Sequence, residues 1–450
     1  MTIFDKKRLP ENLLNLDYEN IRKGFYSDKY FIHIYTLLSK LSEKNYQFNN
    51  SPSKRLKCSN IDLSSINIGD IEVQAQYFTR RSPYSIIAGI DRALAIIKNC
   101  SGYFKTSENF INTFKNLKVS AIHDGTKISY NGNPKKITPV ILIQGKYKDF
   151  ALLETALLGT LSRLTRIATN TYNTLIATKK PIMFFPARYD FHETQTLDGY
   201  AYLIGLNRYN MDYSKDIKPM VSTDAQGLFA NLSGSGTMSH SLITCFLGNT
   251  SESILSFAQH LPVEIPRVAL VDFDNNSQKT TLEVMRALFK RYISVLDIDN
   301  NQAQKFKLYG IRLDTSSNLL DKALDSTNAT NDDKGVSPML VLKLRKAIND
   351  AWKNWNIKNK KMATIAKLWC HDIKIIASSG FDIKKITKFR KIPVDIYGIG
   401  SALFSNSIYE NTNNDFTADV VKVKIHNKWY NLSKVGRVAC KNPNLQKINE

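Results

Sequence analysis

Apolar positions in this chain follow two different rhythms. From about residue 180 onward a unit recurs in kind though not in sequence: a short apolar run, a cluster of Gly, Asp, Arg or Ser, then a helical stretch. The runs are "KPIMFFPAR", "GLFANLSGSG", "PRVALVDFD", "KLYGIRLDTSS", "DIKIIASSGFD" and "VDIYGIGSAL". Unbroken apolar runs of this kind predict strands covered on both faces, as in a parallel sheet. Between them, "TLEVMRALFKRYISVLDI" sets Met285, Leu288, Phe289, Tyr292 and Leu296 on one helical stripe. The stretch "SPMLVLKLRKAINDAWKNW" predicts a helix entered through Ser337 as N-cap, with Pro338 in its first turn.

Strand, polar cluster, helix, repeated, is the grammar of an irregular TIM-like α/β barrel or an open α/β sheet, and in both the loops at the carboxyl ends of the strands build the active site. The stretch "NLSGSGTMSHSL" after "GLFA" is expected to be such a loop following a buried strand. The first 150 residues read differently: helical "DKYFIHIYTLLSKLS" precedes alternating, β-branched "IEVQAQYFTR", "KISYNG" and "TPVILIQGKY". Alternation returns in "VVKVKIHNKWYNLSK", a strand pair around an "HNK" turn. The expectation is an α+β domain over residues 1–154, completed by 406–450, beside an α/β barrel over 155–405. Polar "SNLLDKALDSTNATNDDKGVSP" is expected to be a mobile excursion.

Composition sharpens this picture little. At 450 residues and 43% apolar the chain can bury more than one core. No apolar run approaches the ~20 residues that span a bilayer, and the charged opening signals no secretion, so a cytoplasmic protein is expected. Cys58, Cys100, Cys245, Cys370 and Cys440 lie far apart without a C-x-x-C pair, which argues against a disulfide framework and a zinc ribbon. The net charge of +22 invites a nucleic-acid reading, but the excess is lysine spread along the chain, without a basic block interleaved with aromatics. A lysine-rich solvated surface explains it better.

Several polar clusters carry chemistry. "YGIRLDTSSN" delivers Arg312 and Asp314 two residues apart on one strand face, then three hydroxyls. The arginine can fork onto carboxylate or phosphate, the aspartate can meet sugar hydroxyls or Mg2+, and the turn can cradle phosphate oxygens. A buried Arg-Asp pair before a helix cap is the plainer alternative. "IIASSGFDIKKI" sets Ser378, Ser379 and Gly380 between strand and helix, with Asp382 in the first turn. "YGIGSAL" repeats the device at Gly398, Gly400 and Ser401, and two such turns on consecutive strands resemble a phosphate site. In "FFPARYDFHETQTLDGY", Phe185 with Arg188 suits a planar anionic ring, while Asp190, His192, Glu193 and Asp198 offer structural ion pairing instead.

Taken in order, "FYSDKYF", "YFTRRSPYSIIAGID", "PVILIQGKYKDFALLETALLGTLSRLTRIAT", "FPARYDFHETQTLDGY", "SGTMSHS", "VALVDFDN", "GIRLDTSS", "IASSGFD", "GIGSAL" and "NLSKVGR" resemble the nicotinate phosphoribosyltransferases almost end to end. These belong to the type II phosphoribosyltransferases, with the nicotinamide and quinolinate enzymes. The resemblance implies that Tyr30, with Asp28 beside it, stacks on the pyridine from a neighbouring subunit, that Phe185 forms the other face, and that Arg188 meets the ring substituent. Arg312 and Asp314 match the family's "R-x-D-S-G" strand, although "DTSS" stands here in place of "DSG". Ser379, Gly380 and Asp382 match the ribose turn, and Gly398, Gly400 and Ser401 the 5'-phosphate cradle. Arg80 or Arg81 and Lys434 fall where the family reaches phosphates across a dimer interface. His240 matches a histidine phosphorylated from ATP, with Thr237 and Asp272 joining the substrate-binding set and Gly234 and Gly236 letting the backbone approach.

The resemblance thus implies transfer of phosphoribose from 5-phosphoribosyl 1-diphosphate to nicotinate in NAD biosynthesis. It makes His240, Arg312 and Asp314 the catalytic set, Mg2+ the cofactor, ATP a co-substrate and a homodimer the assembly. Nicotinamide is the nearest rival substrate. Nicotinamide enzymes resemble "GTDT" near the glycine-rich stretch, where this chain has "GSGT" with Gly236 at the acidic place, which favours a carboxylate-bearing ring. Quinolinate enzymes are shorter, and a second carboxylate would want more basic residues. From other classes, a basic nucleic-acid-binding protein and an inactive scaffold homologue stay open.

Overall fold

The computed structural model describes residues 7–56, 61–236, 238–296, 298–405 and 416–448. The chain forms two compact units, one of Met1–Tyr172, Ala201–Asp212 and Phe404–Glu450, the other of Asn173–Tyr200 and Tyr213–Leu403. The expected boundary at 154/155 therefore lies further on. The reason is packing: Leu157 and Leu161 are fully buried in the first unit's core with Val73, Ile90 and Ile143. The hydroxyls of Thr165 and Thr169 accept from the amides of Ala88 and Ile86 at 3.1 and 3.0 Å. Ala201–Asp212 joins this unit through Gly205, where a Cβ would stand 2.3 Å from the Ala168 carbonyl, and through the Tyr172 hydroxyl, which donates to Asp212 at 2.7 Å.

The first unit is built on an antiparallel sheet. Strand Glu72–Thr79 lies between Ile141–Lys146 and the tail strand Phe416–Ile425, with Lys428–Asn431, Lys118–Ala121 and Gln446–Lys447 completing the sheet outward. The tail hairpin pairs Ile425 with Lys428 across a turn in which His426 takes a φ of 50°. Within this sheet Gln74 and Gln76 are buried. Both are satisfied: Gln144 donates to Gln74, and Gln76 bonds the backbone of Val438 and Cys440.

The second unit carries a curled six-stranded parallel sheet, half of a barrel. Its order is Arg267–Leu270, Leu308–Leu313, Lys374–Ala377, Ile396–Ile399, Ile182–Phe184, Met220–Val221. No pairing among the described residues joins the two end strands. The continuous apolar runs are covered on both faces, as their lack of alternation requires. Arg267 opens its strand 2% exposed, with its guanidinium donating to the carbonyls of Ala258, Leu261 and Pro262 at the end of helix Thr250–His260. Helix Ser277–Leu296 buries Met285, Leu288 and Phe289, and helix Pro338–Asp350 is capped by the Ser337 hydroxyl as its sequence predicts.

One expectation fails here. "GLFA" is no strand: Asp224–Gly227 and Leu228–Ala230 are helical turns ending at Asn231, φ 52°. The Thr223 hydroxyl caps them by accepting from the Gln226 amide, and a Cβ on Gly227 would sit 1.9 Å from the Leu232 carbonyl, so the chain must coil back on itself. Strand Met220–Val221 supplies the sheet position instead. The polar excursion after Asp314 is pinned by Asp321, which is fully buried and accepts from the Ser277 amide and hydroxyl and the Ala323 amide. Its neighbour Lys322 donates its amide to the Asn275 carbonyl at 2.9 Å. No helix among the described residues is long and apolar enough to cross a membrane.

Asp321→Ala strands buried donors at the start of helix Ser277–Leu296 and is expected to cost about 2–4 kcal/mol, read from urea unfolding. Asp325→Ala, at an exposed turn of the same segment, is expected to leave the midpoint unchanged.

Candidate active site

Because the second unit's strands run parallel, their carboxyl ends share one edge of the sheet. The register fixes who meets whom: Leu313 pairs with Ala377, and Ile399 with Phe184. One residue past those pairs, the Ser378 hydroxyl donates to Asp314 Oδ1 and the Leu313 carbonyl, both at 2.9 Å. Arg312 Nη2 donates to Asp314 Oδ2 at 3.0 Å. This hydrogen-bonded set opens into a cavity of about 540 Å3, where it is joined by Phe185, Arg188, His240, Ser379, Gly380, Gly398 and Gly400. These predicted residues come from loops scattered over two hundred positions and converge on one space within one unit.

The aromatic wall explains two glycines. A Cβ on Gly398 would stand 2.7 Å from the Phe185 ring, and one on Gly400 2.5 Å from the Tyr189 ring. Glycines two apart on one strand thus leave slots that two rings fill. Tyr189 was missed in the sequence, and the Gly-Ile-Gly alternation was the signal that could have found it. The Arg312 guanidinium lies 6.0 Å from the Phe185 ring centroid, at the limit of a cation-π contact. Arg188 is exposed at the cavity and has no ion-pair partner among the described residues; His192 pairs with Glu193 and Asp198 accepts from Thr194. Structural ion pairing of Arg188 is therefore absent there.

His240 opens helix His240–Cys245, whose N-cap Ser239 accepts from the Leu242 amide at 3.2 Å. The helix start holds the imidazole with Nε2 3.2 Å from Asp272 Oδ2. Asp272 does not line the cavity; it stands behind His240, its side chain 6% exposed, with Oδ1 buried and without a hydrogen-bond partner among the described residues. Burial pushes its carboxyl above the usual carboxylate value, His240 pulls it back, and the Asp314 charge adds to the rise. Gly234 serves packing rather than ligand approach, since its Cβ would lie 2.7 Å from the Thr223 backbone, whereas at Gly236 it would meet nothing within 4 Å. Ser222 and Thr223 also line the cavity, and no spacing in the sequence marked them.

The remaining predicted residues fall elsewhere. Thr237 lies outside the described residues. Asp382 is the N-cap of helix Ile383–Lys388, accepting from the Lys385 amide at 2.7 Å, and Ser401 opens the turn Ser401–Phe404. In the first unit, Tyr30 is 56% exposed on helix Lys29–Glu43. Arg81 is 1% exposed and donates to Asn170 at 3.0 Å, so a phosphate-binding role for it would require unburying a guanidinium already engaged. Arg80 is half-buried, with Nε and Nη2 lacking hydrogen-bond partners among the described residues. Arg80, Lys434 and Arg437 surround Asp419, which Arg437 bonds at 3.0 Å.

Residues 60–165 match the profile of the quinolinate phosphoribosyl transferase N-terminal domain. Among solved structures, nicotinate-nucleotide pyrophosphorylase from Pyrococcus furiosus is 20% identical, with a TM-score of 0.60 over 96% of this chain and 85% of that one. Human nicotinic acid phosphoribosyltransferase is 14% identical, with a TM-score of 0.48 over 83% of this chain and 72% of that one. No curated protein matches the chain by sequence. The chain resembles the type II phosphoribosyltransferases, and the P. furiosus likeness establishes the shared fold.

A folded-state carboxyl above its ordinary value of 3.8 means that ionised Asp272 costs stability above the raised value and nothing below the ordinary one. Asp272→Asn is expected to melt higher than wild type at pH 7, with the gain vanishing as the pH falls below 3.8, read from thermal unfolding across pH.

Proposed function

We propose that the second unit's cavity transfers phosphoribose to nicotinate. The ring nitrogen attacks the anomeric carbon of 5-phosphoribosyl 1-diphosphate, the bond to the diphosphate oxygen breaks with its electron pair leaving on diphosphate, and nicotinate mononucleotide forms. One observation carries the reading: the bonded set Arg312, Asp314 and Ser378 opens on the same cavity as Phe185, the exposed Arg188, which has no ion pair among the described residues, and the Ser379–Gly380 turn. Such chemistry needs little base, because the attacking nitrogen carries no proton; alignment and neutralisation of the leaving group do the catalysis.

In this proposal Phe185 stacks on the pyridine and Arg188 forks onto its carboxylate. Asp314, Asp382 and the Ser379–Gly380 turn meet the ribose, and the Gly398 to Ser401 turn holds the 5'-phosphate. A homodimer completes the site, a second copy supplying Tyr30 to the free ring face and Arg80 and Lys434 to the diphosphate. The exposure of Tyr30 supports this. Mg2+ fits the donor set: no cluster of three or more ligating side chains exists among the described residues, but Asp314 lines the cavity and supplies the one carboxylate that Mg2+ can take beside substrate oxygens. Bound there, the ion would neutralise the departing diphosphate. His240 accepts the terminal phosphoryl group of ATP, releasing ADP, while Asp272 orients the imidazole. The reaction serves NAD biosynthesis in the cytoplasm.

Quinolinate is a second reading, favoured by the profile matched at residues 60–165. Steady-state assays with nicotinate, nicotinamide and quinolinate decide. A kcat/KM for nicotinate about 100-fold above the others is expected, and mononucleotide formation from nicotinamide or quinolinate but not nicotinate overturns the proposal. Arg188→Ala is expected to raise the KM for nicotinate about 10- to 100-fold with little change for the phosphoribosyl donor. His240→Ala is expected to abolish ATP hydrolysis while slow transfer persists, followed by ADP and mononucleotide release in one assay.

A further inference from the structure

Two consecutive residues of the cavity wall, Ser379 and Gly380, take left-handed backbone, with φ of 77° and 64°. Glycine adopts this freely and serine does not, so the turn persists only if its surroundings hold it. A Cβ on Gly380 would meet nothing within 4 Å, so crowding does not impose the shape. On the far side Lys385 Nζ donates to the Ser379 carbonyl at 2.9 Å. The same ammonium sits 4.4 Å from the centroid of Phe381, which is 2% exposed and packs against Phe389 and Tyr397 at 5.0 and 5.2 Å. Lys385 is half-buried and has no ion pair with a carboxylate among the described residues, unlike Lys388, which pairs with exposed Asp332. The amides of Ser379, Gly380 and Phe381 donate to no protein acceptor among the described residues.

We infer that Lys385 is a positioning residue for the phosphosugar subsite. Its ammonium locks the Ser379–Gly380 turn from behind, so that unspent amides stay turned to a phosphate-bearing ligand, and it adds a fixed positive charge behind them. The ligand's identity rests on the proposed transfer reaction; the lock does not. A neutral side chain releases the carbonyl, while arginine can still reach it.

The test uses the full chain with Lys385→Met and Lys385→Arg. Hydrogen exchange without ligand reads the lock: K385M is expected to speed exchange over residues 378–385 about tenfold with other segments unchanged, and an unchanged rate there overturns the inference. Kinetics read the subsite: K385M is expected to raise the KM for 5-phosphoribosyl 1-diphosphate about 10- to 100-fold and that for nicotinate less than about twofold, with K385R restoring most of the loss. Equal rises in both KM values overturn it. Should K385M not fold, K385R decides: a donor KM within about threefold of wild type supports the lock, and a loss as large as about tenfold sinks it. Absence of any transfer by wild type refutes the proposed reaction, and the exchange experiment still decides the role of Lys385.

Discussion

Parallel pairing of Gly310–Leu313 with Lys374–Ala377 sets where the polar groups of the cavity stand. Arg312 and Asp314 flank Leu313, and Ser378 follows its partner Ala377, so the three-way bond among Arg312, Asp314 and Ser378 exists only in this register. A slip of one residue would turn each side chain to the opposite face and bring Leu313 to the cavity. The same argument runs along the sheet, where Ile399 beside Phe184 sets Gly398 and Gly400 against the rings of Phe185 and Tyr189. Leu308, Gly310, Ile311 and Leu313 are buried with Ile375, Ile376 and Ala377 beside them, so core packing holds the register and the polar groups ride on it.

Electrostatics at this edge oppose stability. Asp272 is buried, keeps Oδ1 without a side-chain partner among the described residues, and feels the like charge of Asp314; His240 at 3.2 Å is its main compensation. Some buried charge elsewhere is met inside the protein: Asp321 accepts from the Ser277 amide and hydroxyl and the Ala323 amide, and the Arg267 Nη atoms donate to helix-end carbonyls. The contrast separates structural polar groups, whose bonds are made inside the protein, from groups whose capacity is held open for a ligand. Arg188 and the amides of the Ser379–Gly380 turn belong to the second kind.

Much of this was legible beforehand. Unbroken apolar runs located the strands at 182–184, 267–270, 308–313, 374–377 and 396–399, and Ser337 with Pro338 marked a helix start. The cluster after each run supplied most of the cavity wall. Misreadings came where an apolar run is too short to declare its geometry. "GLFA" coils because Thr223 caps it and Gly227 meets Leu232, two contacts that leave no periodic trace. The excursion after Asp314 read as loose because its polarity hid one buried anchor, Asp321.

Local chemistry therefore wrote the strands, the caps and the candidate groups into the chain, since each depends on neighbours a few positions away. Which arginine is engaged, which glycine accommodates a ring, and which lysine reaches behind a turn depended on distant contacts: Arg81 with Asn170, Gly400 with Tyr189, Phe381 with Tyr397 beneath the Lys385 ammonium. Burial and register are properties of the assembled sheet, and linear spacing cannot encode them.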